Sequence, residues 1–440
     1  MNVFVRDFNV LPHAEKVQTD RIQAAIDACA AEGGGQVIFD AGIYRTGTLW
    51  LRSGTYLYLP PMCCIRGSDN FCDYNAPDAY PQNTPIPAEY ANGMHLIVGV
   101  EIDHCGIFGG GTIDGNGAHF GFRKEAGFSR PSQMIHFVES TNIRLQDLEL
   151  VNSPYWNCHL HGCEEVFISG LKIKNHQHIH NGDGIDVDAS RNVVISDCII
   201  DTQDDCITFR CNTELFGALK KKDRVLENVT VTNCHLRTKE CNAFRIGVGN
   251  GTIRNCRVSN TVIYDSAKGV CMEARYAFND NEMIGTPIEN ISFDNCYMDC
   301  LLPIFISSNY IGINDEPAPR IRNISFSNLT VRGKHNIVVQ ACPHTVVENI
   351  TFCNVDFDCV EGAKGLIDKY GCGEGEYATV DAAFYTAHVK RLTLRDVRVS
   401  IEEGSPIQRG IVSYGSMLTA ENVSVEKCGA EMPLIEERAF

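Results

Sequence analysis

At 440 residues, 44% hydrophobic and 21% charged, with a formal charge of −17, the chain has a globular composition and ample material for a core. The acidic balance excludes a broad nucleic-acid footprint, which needs clustered Lys and Arg. No window of about eighteen consecutive apolar residues offers a membrane span, so neither nucleic acid nor membrane is expected as a partner. The start, MNVFVRDFNV, lacks a basic segment followed by an apolar run, so no export signal is expected. The 21 cysteines, odd in number and set inside apolar strands, read as reduced, buried small hydrophobes of a cytoplasmic chain. No Cys-x-x-Cys pair occurs, so no structural zinc is expected, and no motif calls for a cofactor.

In chain order, DRIQAAIDACAAEGGG, Asp20 to Gly35, has apolar residues at helical spacing and a glycine stop. It predicts a helix that caps the N-terminal end of the fold within a cap region of about 1–50. The glycine-rich AEGGGQV (31–37) and FGGGTIDGNG (108–117) lack a Walker lysine and precede strands, so they read as turns and not phosphate loops.

From Asn142 one pattern recurs: Asn, apolar, x, apolar, x, Asp/Asn, apolar, x, apolar. Its copies are NIRLQDLEL (Asn142), EVFISGLKI (Glu165), NVVISDCII (Asn192), NVTVTNCHL (Asn228) and NGTIRNCRV (Asn250). They continue as NISFDNCYM (Asn290), NISFSNLTV (Asn323), NITFCNVDF (Asn349), RLTLRDVRV (Arg391) and MLTAENVSV (Met417). Five intervals between neighbouring starts fall within 22–27 residues. Apolar alternation on both sides of a central Asp/Asn predicts two short strands joined by a bend, and Asn and Asp suit a left-handed bend. No helical periodicity separates the copies, which rules out a doubly wound fold. An all-β solenoid follows: a single parallel β-helix domain over 1–440, one coil per repeat, with an inserted loop at about 360–390. The N-x-S/T sequons at Asn228, Asn290, Asn323 and Asn349 read as stacked bend residues and not glycosylation sites.

Two acidic stretches carry the chemistry. HIHNGDGIDVDAS (178–190) and DTQDDCITFR (201–210) would fall on consecutive coils, placing Asp183 one strand spacing from Asp204 and Asp205. Carboxyls so crowded cannot all ionise cheaply, so one is expected to keep its proton. A protonated carboxyl beside ionised ones can cleave a glycoside with a base-activated water. A separation of ~6.5–9.5 Å would admit that water and invert the anomeric centre. The competing readings are bend caps and a solvated turn; Asp186 and Asp188 read as structural or substrate-facing. His176, His178 and His180 alternate and on a shared strand face would suit a transition metal; polar histidines at a coil edge are the commoner case, and no metal is expected.

With AAIDACAAEGGGQVIFDAGIYRTGTLWLRS, GGGTIDGNG and NSPYWNCHLHGCEEVFISGLKI, these stretches resemble the family 28 glycoside hydrolases, polygalacturonase-like enzymes on right-handed parallel β-helices. The family's Asn-Thr-Asp-Gly motif corresponds to Asn181-Gly182-Asp183-Gly184, and its Gly/Gln-Asp-Asp motif to Gln203-Asp204-Asp205. The resemblance implies Asp204 as general acid, Asp183 and Asp205 as the groups that hold and deprotonate water, and His180 as a companion orienting the sugar. Two departures stand out. The Gly-His-Gly segment falls on Cys241-Asn242-Ala243, and the uronate-binding Arg-Ile-Lys segment falls on Cys271-Met272-Glu273. Arg245 and Arg275 would either rebuild a carboxylate site, or Arg245 would pair with Glu273 and close it to acidic sugars. Tyr310 resembles a sugar-contacting tyrosine of the family, or is a surface aromatic.

The function expected is an inverting glycoside hydrolase, exo-acting on short plant-derived, pectic-type oligosaccharides or glycosides. The alternatives are a β-eliminating polysaccharide lyase and a non-catalytic carbohydrate-binding β-helix. Oligomeric state is not read from the sequence.

Overall fold

The computed structural model describes residues 1–120, 129–175, 178–213, 218–221, 223–279, 282–308, 319–341, 345–368, 377–433 and 435–438. At 275–279, 282–284, 367–368, 377–378 and 436–438 it describes the backbone alone. The chain groups into two compact units, residues 1–208 with 212–224 and residues 209–211 with 225–440. Each unit is built from coils of a right-handed parallel β-helix, as expected.

The repeat forms coils because each copy turns twice. Both the first residue of the pattern and the central one adopt left-handed backbone: Asn142 and Asp147, Asn192 and Asp197 in the first unit; Asn290 and Asn295, Asn323 and Asn328, Asn349 and Asn354 in the second. Asn and Asp tolerate this region at little cost, whereas most residues lose about 1–2 kcal/mol there. Between corners the chain is extended, and alternate side chains such as Ile143, Leu145, Leu148 and Leu150 are buried. Each corner is also tied to the next coil. The side-chain amide of Asn349 donates to Oδ1 of Asn323 (2.9 Å), and that of Asn323 to Oδ1 of Asn290 (2.9 Å). The sequon asparagines in these coils are thus bend residues in a ladder.

The repeat at 250 is phased differently from expectation. Leu226 pairs with Ile253 and Val231 with Val258, so the coil's corners are Asn255 and Asn260, not Asn250. Thr261 explains the misreading: it is buried where the neighbouring coils carry Cys234 and Cys296, and its hydroxyl interrupts the apolar pattern. In the second unit the interior holds a stacked aromatic row, Phe293, Phe326 and Phe352, with centroids 5.2 and 4.9 Å apart and planes within 13°. Such contacts add about 0.5–1.5 kcal/mol per pair beyond burial.

The first unit carries the expected helix, Thr19–Ala31, which buries Ile22, Ala25, Ile26 and Cys29. It is the one α-helix among the described residues. Within the segment expected as an insertion, strands Gly365–Asp368 and Tyr377–Val380 pair antiparallel, while Ala382–Ala387 joins the parallel ladder beside Ile337–Ala341. The described cysteines are mostly buried.

The corners give a direct stability test. Asn323→Val places a β-branched residue in a left-handed bend and removes both ladder bonds, and is expected to cost about 2–3 kcal/mol. Asn323→Gly keeps the backbone and loses only the side chain, at about 1 kcal/mol. Thermal melting should rank wild type above Gly above Val; equal losses would show that backbone strain is not what selects asparagine.

Candidate active site

In the first unit, Asp183 enters the strand Ile185–Asp188 from a turn. The backbone N–H of Gly184 donates to the carbonyl of Asp205 (2.9 Å) and that of Ile185 to Cys206 (2.9 Å). In a parallel ladder these bonds put Gly184 opposite Cys206, and so Asp183 opposite Asp205, one strand spacing of ~4.8 Å away. The two acidic stretches therefore meet in space. Gly184 is required at this crossing: a Cβ there would lie 2.4 Å from the Cys206 carbonyl oxygen.

Asp183 and Asp205 are buried, at 2% and 6% exposure, while Asp204 is half-buried. The Asp205 N–H donates to Oδ1 of Asp204 (2.9 Å), and the Thr202 hydroxyl donates to the Asp204 carbonyl (2.7 Å). The Asp183 carbonyl accepts from both the backbone and side-chain N–H groups of Asn157, each at 2.8 Å. Asn175 donates to the Gly182 carbonyl (3.0 Å), and Asn181 takes left-handed backbone. His178 and His180 are exposed and lie in this turn, not on a strand, so the shared strand face a metal would need does not form at these two; His176 lies outside the described residues.

Arg130, which no motif singled out, holds the same turn. Its guanidinium is buried and donates to the carbonyls of Pro154 (3.0 Å), Glu89 (2.9 Å) and His180, and to Oδ1 of Asn181 (3.1 Å). Burial pulls its pKa down, against the opposing pull of Tyr155, Glu89, Asp183 and Asp204. The only sequence signal was an arginine directly before a proline, in SRPSQ.

A second buried polar feature adjoins this sheet. His136, His159 and His161 bring ring nitrogens within 4.8 Å of one another. Their rings are stacked, however, with centroids 4.8 and 5.3 Å apart and planes 7° and 15° apart. A metal binds imidazole in the ring plane, and near-parallel planes at that separation share no such point. The column is anchored instead by Tyr80, whose hydroxyl is 2.8 Å from His136 Nδ1, and by Asp188. Asp188 accepts from the backbone and side-chain N–H groups of Asn212 at 2.6 and 2.9 Å, a structural role. Burial raises the Asp188 carboxyl, but His159, His161 and Asn212 outweigh it and hold it below the usual carboxylate range. Burial, opposed by the hydrogen bond with the Gln133 carbonyl and helped by His159, pushes His95, at the other end of the column, down to about 3.

The second unit holds Asn242, Arg245 and Glu273. Asn242 pairs with Lys268 and Arg245 with Cys271 in adjacent strands. Arg245 and Glu273 form an ion pair, and Cys271 Sγ lies 3.3 Å from Arg245 Nη1 and 3.5 Å from the Glu273 carboxylate. Of the two fates expected for Arg245, pairing with Glu273 is the one adopted. Burial raises the Glu273 carboxyl; Arg245 and Lys268, with hydrogen bonds from Cys271 and Arg245, more than offset it and leave it below its usual value. Arg275 lies in the strand Arg275–Asn279, with only its backbone described, and Tyr310 lies outside the described residues.

A family model described as glycosyl hydrolases family 28 matches residues 87–365, well over half of the chain. The chain belongs to that family. A probable polygalacturonase of Vitis vinifera is 27% identical over 284 residues, 60% of this chain and 55% of that protein. An exo-poly-alpha-D-galacturonosidase of Dickeya chrysanthemi is 28% identical over 431 residues, 86% of this chain and 60% of that protein. The chain thus spans less than two thirds of the length of either relative. Among solved structures, the family 28 exopolygalacturonase of Yersinia enterocolitica superposes with a TM-score of 0.68 at 18% identity, covering 98% of this chain and 79% of that one. The hyperthermoactive exopolygalacturonase of Thermotoga maritima gives 0.63 at 16% identity, covering 98% and 93%. At these identities the likeness shows a shared fold.

Because Glu273 titrates below its unfolded value, its stabilisation is complete above about pH 4.3 and is lost as pH falls through the lower folded value. Glu273→Gln removes that dependence and leaves Arg245 buried without its counter-charge, which destabilises by up to about 3–5 kcal/mol. Denaturant titrations at neutral and acid pH should show the wild-type advantage over Glu273→Gln shrinking on acidification. A pH-independent gap would contradict the pairing.

Proposed function

We propose that the chain is an inverting glycoside hydrolase, exo-acting on short pectic-type oligosaccharides or glycosides. Asp204 is the general acid, and Asp183 with Asp205 holds and deprotonates the attacking water. The observation that carries this reading is the ladder placing Asp183 abreast of Asp205, with the more accessible Asp204 next in the chain. The protonated Asp204 carboxyl donates to the glycosidic oxygen as the bond from that oxygen to the anomeric carbon breaks. Water adds to the anomeric carbon from the opposite side and gives its proton to the carboxylate pair. Crowded carboxyls disfavour full ionisation, which keeps an acid available near neutral pH.

The exo mode is supported by the names of the Dickeya, Yersinia and Thermotoga proteins. The resemblance gives the segment at 271–273 the uronate-binding part, and there the Arg245–Glu273 ion pair supports a terminal sugar other than plain galacturonate. A buried uronate without a cationic partner is heavily penalised. The same loss of cations speaks against a β-eliminating lyase. Cysteines that are mostly buried among the described residues fit a reducing, cytoplasmic setting. The altered segments at 241–243 and 271–273 also favour, as second reading, a β-helix that binds carbohydrate without cleaving it.

A panel of nitrophenyl glycosides and pectic oligosaccharides separates these readings. On the best substrate, Asp204→Asn, with an unchanged circular dichroism spectrum, should lose about 10²–10⁴-fold in kcat. An unchanged rate would remove Asp204 as the acid, and binding with no hydrolysis across the panel would favour the second reading. Glu273→Gln, by releasing Arg245, should raise kcat/KM for galacturonides relative to neutral glycosides; an unaltered ratio would detach that pair from specificity.

A further inference from the structure

Arg130 is unusual among the buried cations of the first unit. Its four acceptors are three backbone carbonyls and one amide oxygen, drawn from residues 89, 154, 180 and 181. Its guanidinium carbon also lies 4.8 Å from the centre of the Tyr155 ring, and the Tyr155 hydroxyl donates to the Glu89 carboxylate. Holding these four oxygens takes a donor fork that a neutral amide, with two N–H groups, cannot supply, and the charge that comes with the fork costs several kcal/mol to bury. That charge acts on the acidic groups around it. The negative groups acting on it are Glu89, Asp183 and Asp204, with Tyr155 as the other titratable neighbour.

We propose that Arg130 is a positioning residue of the acid–base machinery: it fixes the turn at 180–181 that leads into Asp183, and it supplies the buried positive charge that acts on Asp183 and Asp204. This rests on the reading of those aspartates as base and acid. The hydrogen bonds carry the first half, and the negative groups already named around the guanidinium carry the second. Two of the four acceptors, the His180 carbonyl and the Asn181 side chain, lie within three residues of Asp183, so loss of the guanidinium fork frees the turn. A displacement of about 1 Å at a reacting group costs on the order of 10²-fold in rate.

The charge has a signature that a purely structural role lacks. A nearby cation favours the ionised form of a carboxyl, so its removal moves the pH dependence of the reaction upward. The acid limb of the pH–kcat profile reports the base, and the alkaline limb reports the acid; both must then move upward.

Three variants of the full chain test this on the best substrate of the panel, with Asp204→Asn alongside. Arg130→Lys keeps the charge and loses the fork: kcat should fall about 10²-fold while both limbs stay near wild type. Arg130→Met should add an upward movement of both limbs by roughly half to one unit. Glu89→Gln keeps the Glu89 carbonyl and removes a negative charge, so both limbs should move down; it tests the charge even where an Arg130 variant fails to fold. Limbs that stay at wild-type positions in Arg130→Met and Glu89→Gln overturn the proposal, and with Asp204→Asn inactive they leave the acid assignment standing. Full activity of Asp204→Asn overturns that assignment and this proposal together.

Discussion

The candidate site depends on the parallel backbone bonds that join 184–185 to 205–206. They set the register that puts Asp183 abreast of Asp205, and they tolerate nothing bulkier than glycine at 184, where the neighbouring coil's carbonyl comes within 2.4 Å of where a Cβ would sit. A slip of one residue would exchange the two faces of the strand and separate the carboxyls. The register is secured elsewhere, by left-handed corners in every repeat and by apolar side chains packed between them. The repetitive coil is thus what makes the spacing of the aspartates a consequence of folding.

Buried charge is handled differently in the two units. In the first, Asp188 is satisfied by Asn212 and the histidine column, and Arg130 is held by main-chain oxygens. In the second, Arg245 and Glu273 neutralise one another, with Lys268 contributing to the balance. A self-neutralised pair offers less to an incoming anion than a lone cation does, and leaving either partner alone in a buried site is costly.

Much of this was legible in the sequence because it is periodic. Corner asparagines, interior aliphatics and the neighbouring acidic stretches each follow from a pattern that one backbone geometry produces. The phase at 250 was not, because Thr261 puts a hydroxyl where its neighbours carry a thiol, and the apolar pattern matched better five residues earlier. Arg130 was invisible for a different reason: its acceptors are carbonyls and an amide oxygen far along the chain, and backbone oxygens carry no sequence signature. The alternating histidines at 176–180 suggested a strand, but the residues described there form a turn, since the chain must bend to bring Asp183 into the ladder.

The central claim is that Asp183, Asp204 and Asp205 act together by direct displacement at the anomeric centre. Proton NMR of the first product formed, recorded before mutarotation, tests it most directly. The account predicts a product whose anomeric configuration is opposite to that of the substrate. Retention of configuration would contradict it.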